Sequence, residues 1–165
     1  MTAALAEQER SRRVLTEAGE GYRGPDGHIG FLLRQAQTAV RGAIERAIQP
    51  LGVTPAQLSL LSVLVHEGTL SSADLAKIAR MTAQSAGGVV QNMEKAGWVA
   101  REKARTHGRI IWLKLTPEGR RVAAQAQKRA GEIEREMLRD VDTTTEATIR
   151  AWLVECARRF DAVRR

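Results

Sequence analysis

Residues 71–115, SSADLAKIARMTAQSAGGVVQNMEKAGWVAREKARTHGRIIWLKL, decide the fold: they read as two short helices joined by a tight turn, then a basic β-hairpin. Ser71 opens the first helix, its hydroxyl able to accept from the N–H three residues on, while Asp74 at N3 puts a carboxylate at the positive helix end. Leu75, Ile78 and Ala79 form its expected buried stripe. The second helix opens at Thr82 as N-cap and repeats apolar positions Ala86, Val89, Val90, Met93 and Gly97 at helical spacing. Gln84, Ser85, Gly88, Gln91 and Asn92 take the other face. Only Arg80 and Met81 lie between the helices, so the connection has to be a sharp corner. Such a corner can present the second helix to a DNA major groove, and it can equally be a helical hairpin within a core.

The next segment decides between the two. Its end alternates Arg109, Ile111, Leu113 and Leu115 against Ile110, Trp112 and Lys114, a period-2 strand, while Thr106, His107 and Gly108 supply turn chemistry. A hairpin with a basic tip beside a helix-turn-helix corner is a wing.

Residues 82–120, TAQSAGGVVQNMEKAGWVAREKARTHGRIIWLKLTPEGR, resemble the winged helix-turn-helix of the MarR (multiple antibiotic resistance regulator) family of bacterial transcription factors. The resemblance runs from about Ile29 to the C-terminus. It is carried by Leu75-Ala76, the Thr82 start, the run Met93-Glu94-Lys95-Ala96-Gly97 and the exit Leu115-Thr116-Pro117-Glu118-Gly119, in that order. It implies a mainly α fold with a small β-hairpin wing, in which N- and C-terminal helices form a dimer interface. The expected organisation is an extension and linker over residues 1–26, dimerisation helices over 27–53 and 120–165, and a DNA-binding winged helix over 54–119.

Charge and composition agree with that assignment. The formal net charge is +7 and the isoelectric point about 10.5, which implies a polyanionic partner. Residues 97–121 hold seven Lys/Arg against two Glu, a net of +5, whereas residues 122–165 hold nine against eight and read as a solvated helical surface. The 43% hydrophobic content is enough for a core, aliphatic because aromatics are few. Cys156 alone cannot form an internal disulfide, and no signal peptide or spanning apolar run is evident, so a cytoplasmic location without membrane contact is expected.

The flanking segments follow helix grammar. Residues 1–20 are Ala/Glu/Arg-rich and suit a helix; GYRGPDG, residues 21–27, reads as a linker. A long helix is expected over residues 28–49, with an apolar band wide enough to be covered from two sides. Thr54, Pro55 and Gln57 open the next helix, which carries Leu58, Leu60, Leu61, Leu64 and Val65. After the wing, Thr116-Pro117 starts a helix to about Arg139, and Thr143 with Glu146 forms a capping box for a last helix lined by Ile149, Trp152, Leu153, Cys156 and Phe160. These outer helices have no role in a minimal winged helix, and packing across a two-fold axis gives their apolar faces one.

Expected DNA contacts follow. Gln84 and Ser85 are placed at base edges, with Gly88, Gln91 and Asn92 further along the same face; Gln and Asn suit adenine bidentately. Thr82 is assigned to phosphate at the helix start. Arg101, Arg105, Thr106, His107 and Arg109 belong to the wing, whose tip lies over a minor groove. Arg109 matches the family's wing arginine. His107 stands where many members carry an acidic residue that orients that arginine, and Gly87-Gly88 replace bulkier mid-helix residues at about 1 kcal/mol each relative to Ala.

The resemblance also implies a homodimer on double-stranded DNA and, in many relatives, a small aromatic or anionic effector. Phe31, Gln35, Ser62 and His66 are its candidate lining by position. No cofactor is expected. His28, His66 and His107 lack metal-ligand spacing, and the long first helix holds no cysteine of the kind peroxide-sensing members use. Trp98, Trp112 and Trp152 read as packing residues. An enzyme is disfavoured, since no Gly-rich phosphate loop, activated nucleophile or paired carboxylate is evident. The competing reading is a winged helix for non-specific DNA structuring or protein interaction.

Overall fold

The computed structural model describes residues 17–103 and 111–161. By contact the chain divides into two units, Met1–Gly42 and Ala43–Arg165. The first holds a 3-10 turn, Gly21–Arg23, and the start of helix α1, Ile29–Ile48. The expected linker is folded here: Gly24 and Gly27 are buried, and a Cβ on Gly27 would meet the Tyr22 carbonyl oxygen at 2.2 Å. Successive tight turns, 2.9–3.0 Å N–H···O bonds from Gly24 to Gly21 and from Gly27 to Gly24, give the segment its shape.

The second unit carries the core. Thr54 caps helix α2, Pro55–Glu67, through a full capping box: its hydroxyl accepts from the Gln57 N–H at 3.2 Å, and its own N–H donates to Gln57 Oε1 at 2.9 Å. Leu60, Leu61 and Leu64 are buried, whereas Val65, expected on that stripe, is 47% exposed. A two-residue strand β1, Leu70–Ser71, leads into helix α3, Ser72–Ile78, and the corner delivers helix α4, Ala83–Lys95. Strands β2, Val99–Lys103, and β3, Ile111–Leu115, are antiparallel with Val99 opposite Leu115 and Lys103 opposite Ile111. Strand β1 pairs on the far side of β3, Leu70 opposite Leu113, so the wing is a three-stranded sheet of order β1-β3-β2 and not a hairpin alone. Two residues are too short to show period-2 alternation, which hid β1 in the sequence.

Helix α5, Pro117–Met137, and helix α6, Thr143–Asp161, complete the chain. Ile48, Leu60, Leu61, Leu75, Met93, Leu113 and Ala123 are fully buried together, joining α1's end, α2, both helices of the corner, β3 and α5 in one aliphatic core. The fold is mainly α with a small antiparallel sheet, a winged helix-turn-helix with added helices at both ends. No single helix among the described residues is long and apolar enough to cross a membrane.

Four local expectations are corrected. Ile78 is exposed, and Ala76 is buried beside Leu75, because α3 stops at Ile78 after two turns and its inward face is set by the middle of the helix. Gly97 lies beyond α4 and ends it, at φ +74°. Asp142, not Thr143, caps α6: its carboxylate accepts from the N–H groups of Thr144 and Thr145 at 2.9 and 3.0 Å, leaving Glu146 to pair with Arg150. Cys156, expected as a small buried packing residue on the apolar face of the last helix, is half-exposed in the chain by itself.

Candidate nucleic-acid interface

Thr82 sets α4 in place. Its hydroxyl accepts from the Ser85 N–H at 3.0 Å and lies within hydrogen-bond reach of Ser85 Oγ at 2.8 Å, which caps the first turn of the helix. A helix start of this kind presents first-turn backbone N–H groups, an arrangement that suits an anion. Ala86, Val90 and Met93 turn inward and are buried. Gln84, Ser85, Gly88, Gln91 and Asn92 are all exposed, a continuous polar strip on the opposite side. A Cβ on Gly87 or Gly88 would meet nothing within 4 Å, so neither glycine is required by packing inside the chain.

The C-terminal ends of α3 and α4 are closed by the same device. At the end of α3 the N–H groups of Arg80 and Met81 donate back to the carbonyls of Lys77 and Ala76 at 3.1 and 2.9 Å. At the end of α4 those of Gly97 and Trp98 donate to Glu94 and Met93, both at 2.9 Å. This is the Schellman arrangement, whose turning residue is left-handed. Gly97 supplies that conformation without a Cβ, whereas Arg80 adopts it at φ +55°. The Arg80 guanidinium forms a bidentate ion pair with Asp161 at the end of α6, both bonds 2.6 Å, which holds its pKa above the ordinary value.

The wing is braced against α4 and α5. Arg101 Nε donates to Glu94 of α4, which raises the arginine's pKa, so Arg101 is a tie between sheet and helix before it is anything else. Lys114 pairs with Glu102 across the sheet, and Arg121 with Glu118, whose carboxyl is held below its ordinary range by the guanidinium. Thr116 donates its hydroxyl to the Gly97 carbonyl at 2.7 Å and accepts from the Gly119 N–H at 2.9 Å, coupling the end of α4 to the start of α5. Gly119 fits there because a Cβ would lie 1.9 Å from the Trp98 carbonyl oxygen. Arg105, Thr106, His107 and Arg109 lie outside the described residues, as do residues 1–16 of the helix expected over 1–20; its described end, residues 17–20, is turn and not helix.

The expected effector residues fall into separate units. Phe31 and Gln35 line a cleft of about 520 Å³ with Arg23 and Arg34 in the first unit; Arg34 lies over the Phe31 ring at 5.3 Å, and Arg23 Nε donates to Gln35 at 2.6 Å. In the second unit, Ser62 accepts from Gln127 at 3.3 Å and His66 is exposed near the end of α2. His28 packs edge-on to Tyr22.

Sequence reading missed the Arg80–Asp161 and Arg101–Glu94 pairs. Each joins residues of different elements, 81 and 7 positions apart, which no local pattern reports. Arg80 did leave one trace, a long side chain at a corner position that favours Gly.

A three-helix corner with a wing and an outward polar strip on its second short helix defines the class, a winged helix-turn-helix protein. Residues 51–110 match the sequence profile of the MarR family. A helix-turn-helix transcriptional repressor of Mycobacterium tuberculosis is 35% identical over 102 residues, covering 62% of this chain and 73% of that one. A probable transcriptional regulator from Pseudomonas aeruginosa superposes with a TM-score of 0.71 at 30% identity, covering 79% of this chain and 98% of the other. Escherichia coli MarR in complex with operator DNA shares the fold, with a TM-score of 0.71 over 78% of this chain and 92% of that one at 19% identity. The chain belongs to the MarR family of DNA-binding transcriptional regulators.

Proposed function

We infer that the chain is a dimeric, sequence-specific repressor that binds a pseudo-palindromic operator. The observation that carries this is the pairing of two exposed surfaces of opposite character: the polar strip of α4, and an apolar face on α6 where Ile149, Trp152, Leu153 and Phe160 are 40–71% exposed. Among the described residues nothing covers the second surface, and a two-fold partner would. Mycobacterial relatives are named repressors, which supports that direction of control.

In this reading two α4 helices enter successive major grooves, with half-site centres ~10 bp apart. Gln84 and Ser85 read base edges first, with Gln91 and Asn92 further along and Gly88 allowing close approach. The N–H groups behind Thr82 hold a phosphate, Arg101 sets the wing, and Arg105 to Arg109 follow the adjacent minor groove. Release by a small aromatic or anionic molecule belongs to the same reading. Its support is the cleft that brings Arg23 and Arg34 beside the Phe31 ring and Gln35; Ser62 and His66 are assigned by position alone.

Selection of bound sites from random duplexes at near-physiological salt tests the proposal, because non-specific binding is weak there. A two-fold-symmetric motif is the expected result, and truncation after Leu138 should remove both the dimer and the symmetry. Absence of any enriched motif, with affinity that merely tracks salt, would replace it with a non-specific architectural or protein-interaction module.

A further inference from the structure

Arg80 is the one non-glycine at positive φ among the described residues, and it sits at the corner that aims α4. A left-handed conformation costs an L-residue free energy that glycine escapes, and the equivalent position at the end of α4 is indeed Gly97. A side chain kept at such a site points to something only that side chain does. What Arg80 does is bind Asp161 with its two terminal guanidinium nitrogens, at 2.6 Å each. Asp161 is the last residue of α6, a helix with no buried residue and otherwise tied by the Arg150–Glu134 pair to α5.

We propose that Arg80 and Asp161 form a strut between the helix-turn-helix corner and the dimer-forming helix, and that this strut sets the half-site spacing the protein accepts. The inference rests on the dimer reading above. In the dimer, α6 is fixed by its apolar face, so a carboxylate at its end is fixed relative to the two-fold axis. A bidentate guanidinium–carboxylate pair constrains direction as well as distance, which a lysine could not reproduce. The pair is exposed, 62% and 49% on its two side chains, so it biases the angle of the reading head without locking it. Arg80 and Asp161 are thus positioning residues that touch no base.

The test uses the full-length protein and its selected operator, remade with the half-sites one base pair closer and one further apart. Arg80→Gly suits the backbone and should melt no lower than wild type, and Asp161→Asn keeps the shape of the carboxylate while removing its charge. Both should remain dimers by sedimentation and keep their base preference within a half-site. Their preference for native spacing should fall roughly three- to fivefold, an effect within reach of an exposed ion pair. Arg80→Asp combined with Asp161→Arg should recover part of it. An unchanged spacing profile in both single variants would overturn the strut, and so would a swap that recovers nothing. Uniformly tighter binding by Asp161→Asn, with uniformly weaker binding by Arg80→Gly, would instead make Arg80 a phosphate contact shielded by Asp161. A monomeric wild type fails before any variant is made, and that result overturns the dimer reading itself.

Discussion

The corner and the described part of the wing bury their apolar faces within one chain, whereas the last helix does not. From α2 to the start of α5, helix starts carry side-chain caps at Thr54, Ser71, Thr82 and Thr116, and inward faces end in fully buried Leu60, Leu75, Met93 and Leu113. Helix α6 is equally well started, by Asp142, yet buries nothing and leaves Trp152 45% exposed. Local signals make a helix; only a facing surface makes it part of a fold. In the dimer reading proposed above, the difference assigns intrachain stability to one region and assembly to the other.

The largest expected effects test that division. Leu60→Ala removes a side chain with no exposure from the centre of the core and should cost about 2–5 kcal/mol in urea unfolding. Trp152→Ala should leave the helical signal of the monomer intact while lowering the dilution at which the dimer persists, measured by sedimentation equilibrium. A Trp152 variant that loses stability independently of protein concentration would place that ring in an intrachain core and erase the contrast. Gly119→Ala comes next: the added methyl falls on the Trp98 carbonyl, backbone that cannot rotate away, and should cost about 1–3 kcal/mol by the same measurement.

What could be read from the sequence divides along the same line. Caps announce themselves over three or four residues, so Thr54, Ser71, Thr82 and Thr116 were legible, and so was the polar strip of α4. Strand β1 was not, because its identity comes from Leu70 and Ser71 pairing with Leu113 and Trp112 some forty residues away. The cap of α6 was misplaced by one residue since Asp142 and Thr143 are both good N-caps, and only the geometry shows which oxygen meets the N–H groups of Thr144 and Thr145. Arg101 illustrates the limit for function: its charge fits a wing contact, and its pairing with Glu94 is set by how β2 crosses α4. Charge is written in the sequence, but what it faces is not.

The α6 cap gives a pH-dependent test of whether that helix stands on local signals. The Asp142 carboxyl is held below its ordinary value of 3.8, first by the Thr145 hydroxyl and then by backbone N–H groups. A depressed folded value means the cap stabilises fully above the ordinary carboxylate range and fades as pH falls through the lower folded value. Asp142→Ala should therefore melt below wild type near neutrality, and the two melting temperatures should converge in acid below the ordinary carboxylate range. A gap that persists there would mean the side chain acts through packing and not through its charge.

The smallest expected effects lie on α4, where stability and reading part company. Gly87 and Gly88 stand mid-helix with open space where a Cβ would go, so Gly87→Ala and Gly88→Ala should each stabilise the protein by about 0.5–1 kcal/mol. Neither change disturbs the core, so any change in DNA affinity isolates what the glycine does for reading. Gly88 shares the exposed strip with Gln84, Ser85, Gln91 and Asn92, whereas Gly87 is half-buried to one side. If the strip approaches a groove closely, the methyl at 88 must weaken operator binding even as it raises the melting temperature, and the methyl at 87 must weaken it less. Equal or improved binding by Gly88→Ala would show that the helix stands off the bases at that point, leaving the glycine pair as a loss of helix stability with no return in recognition.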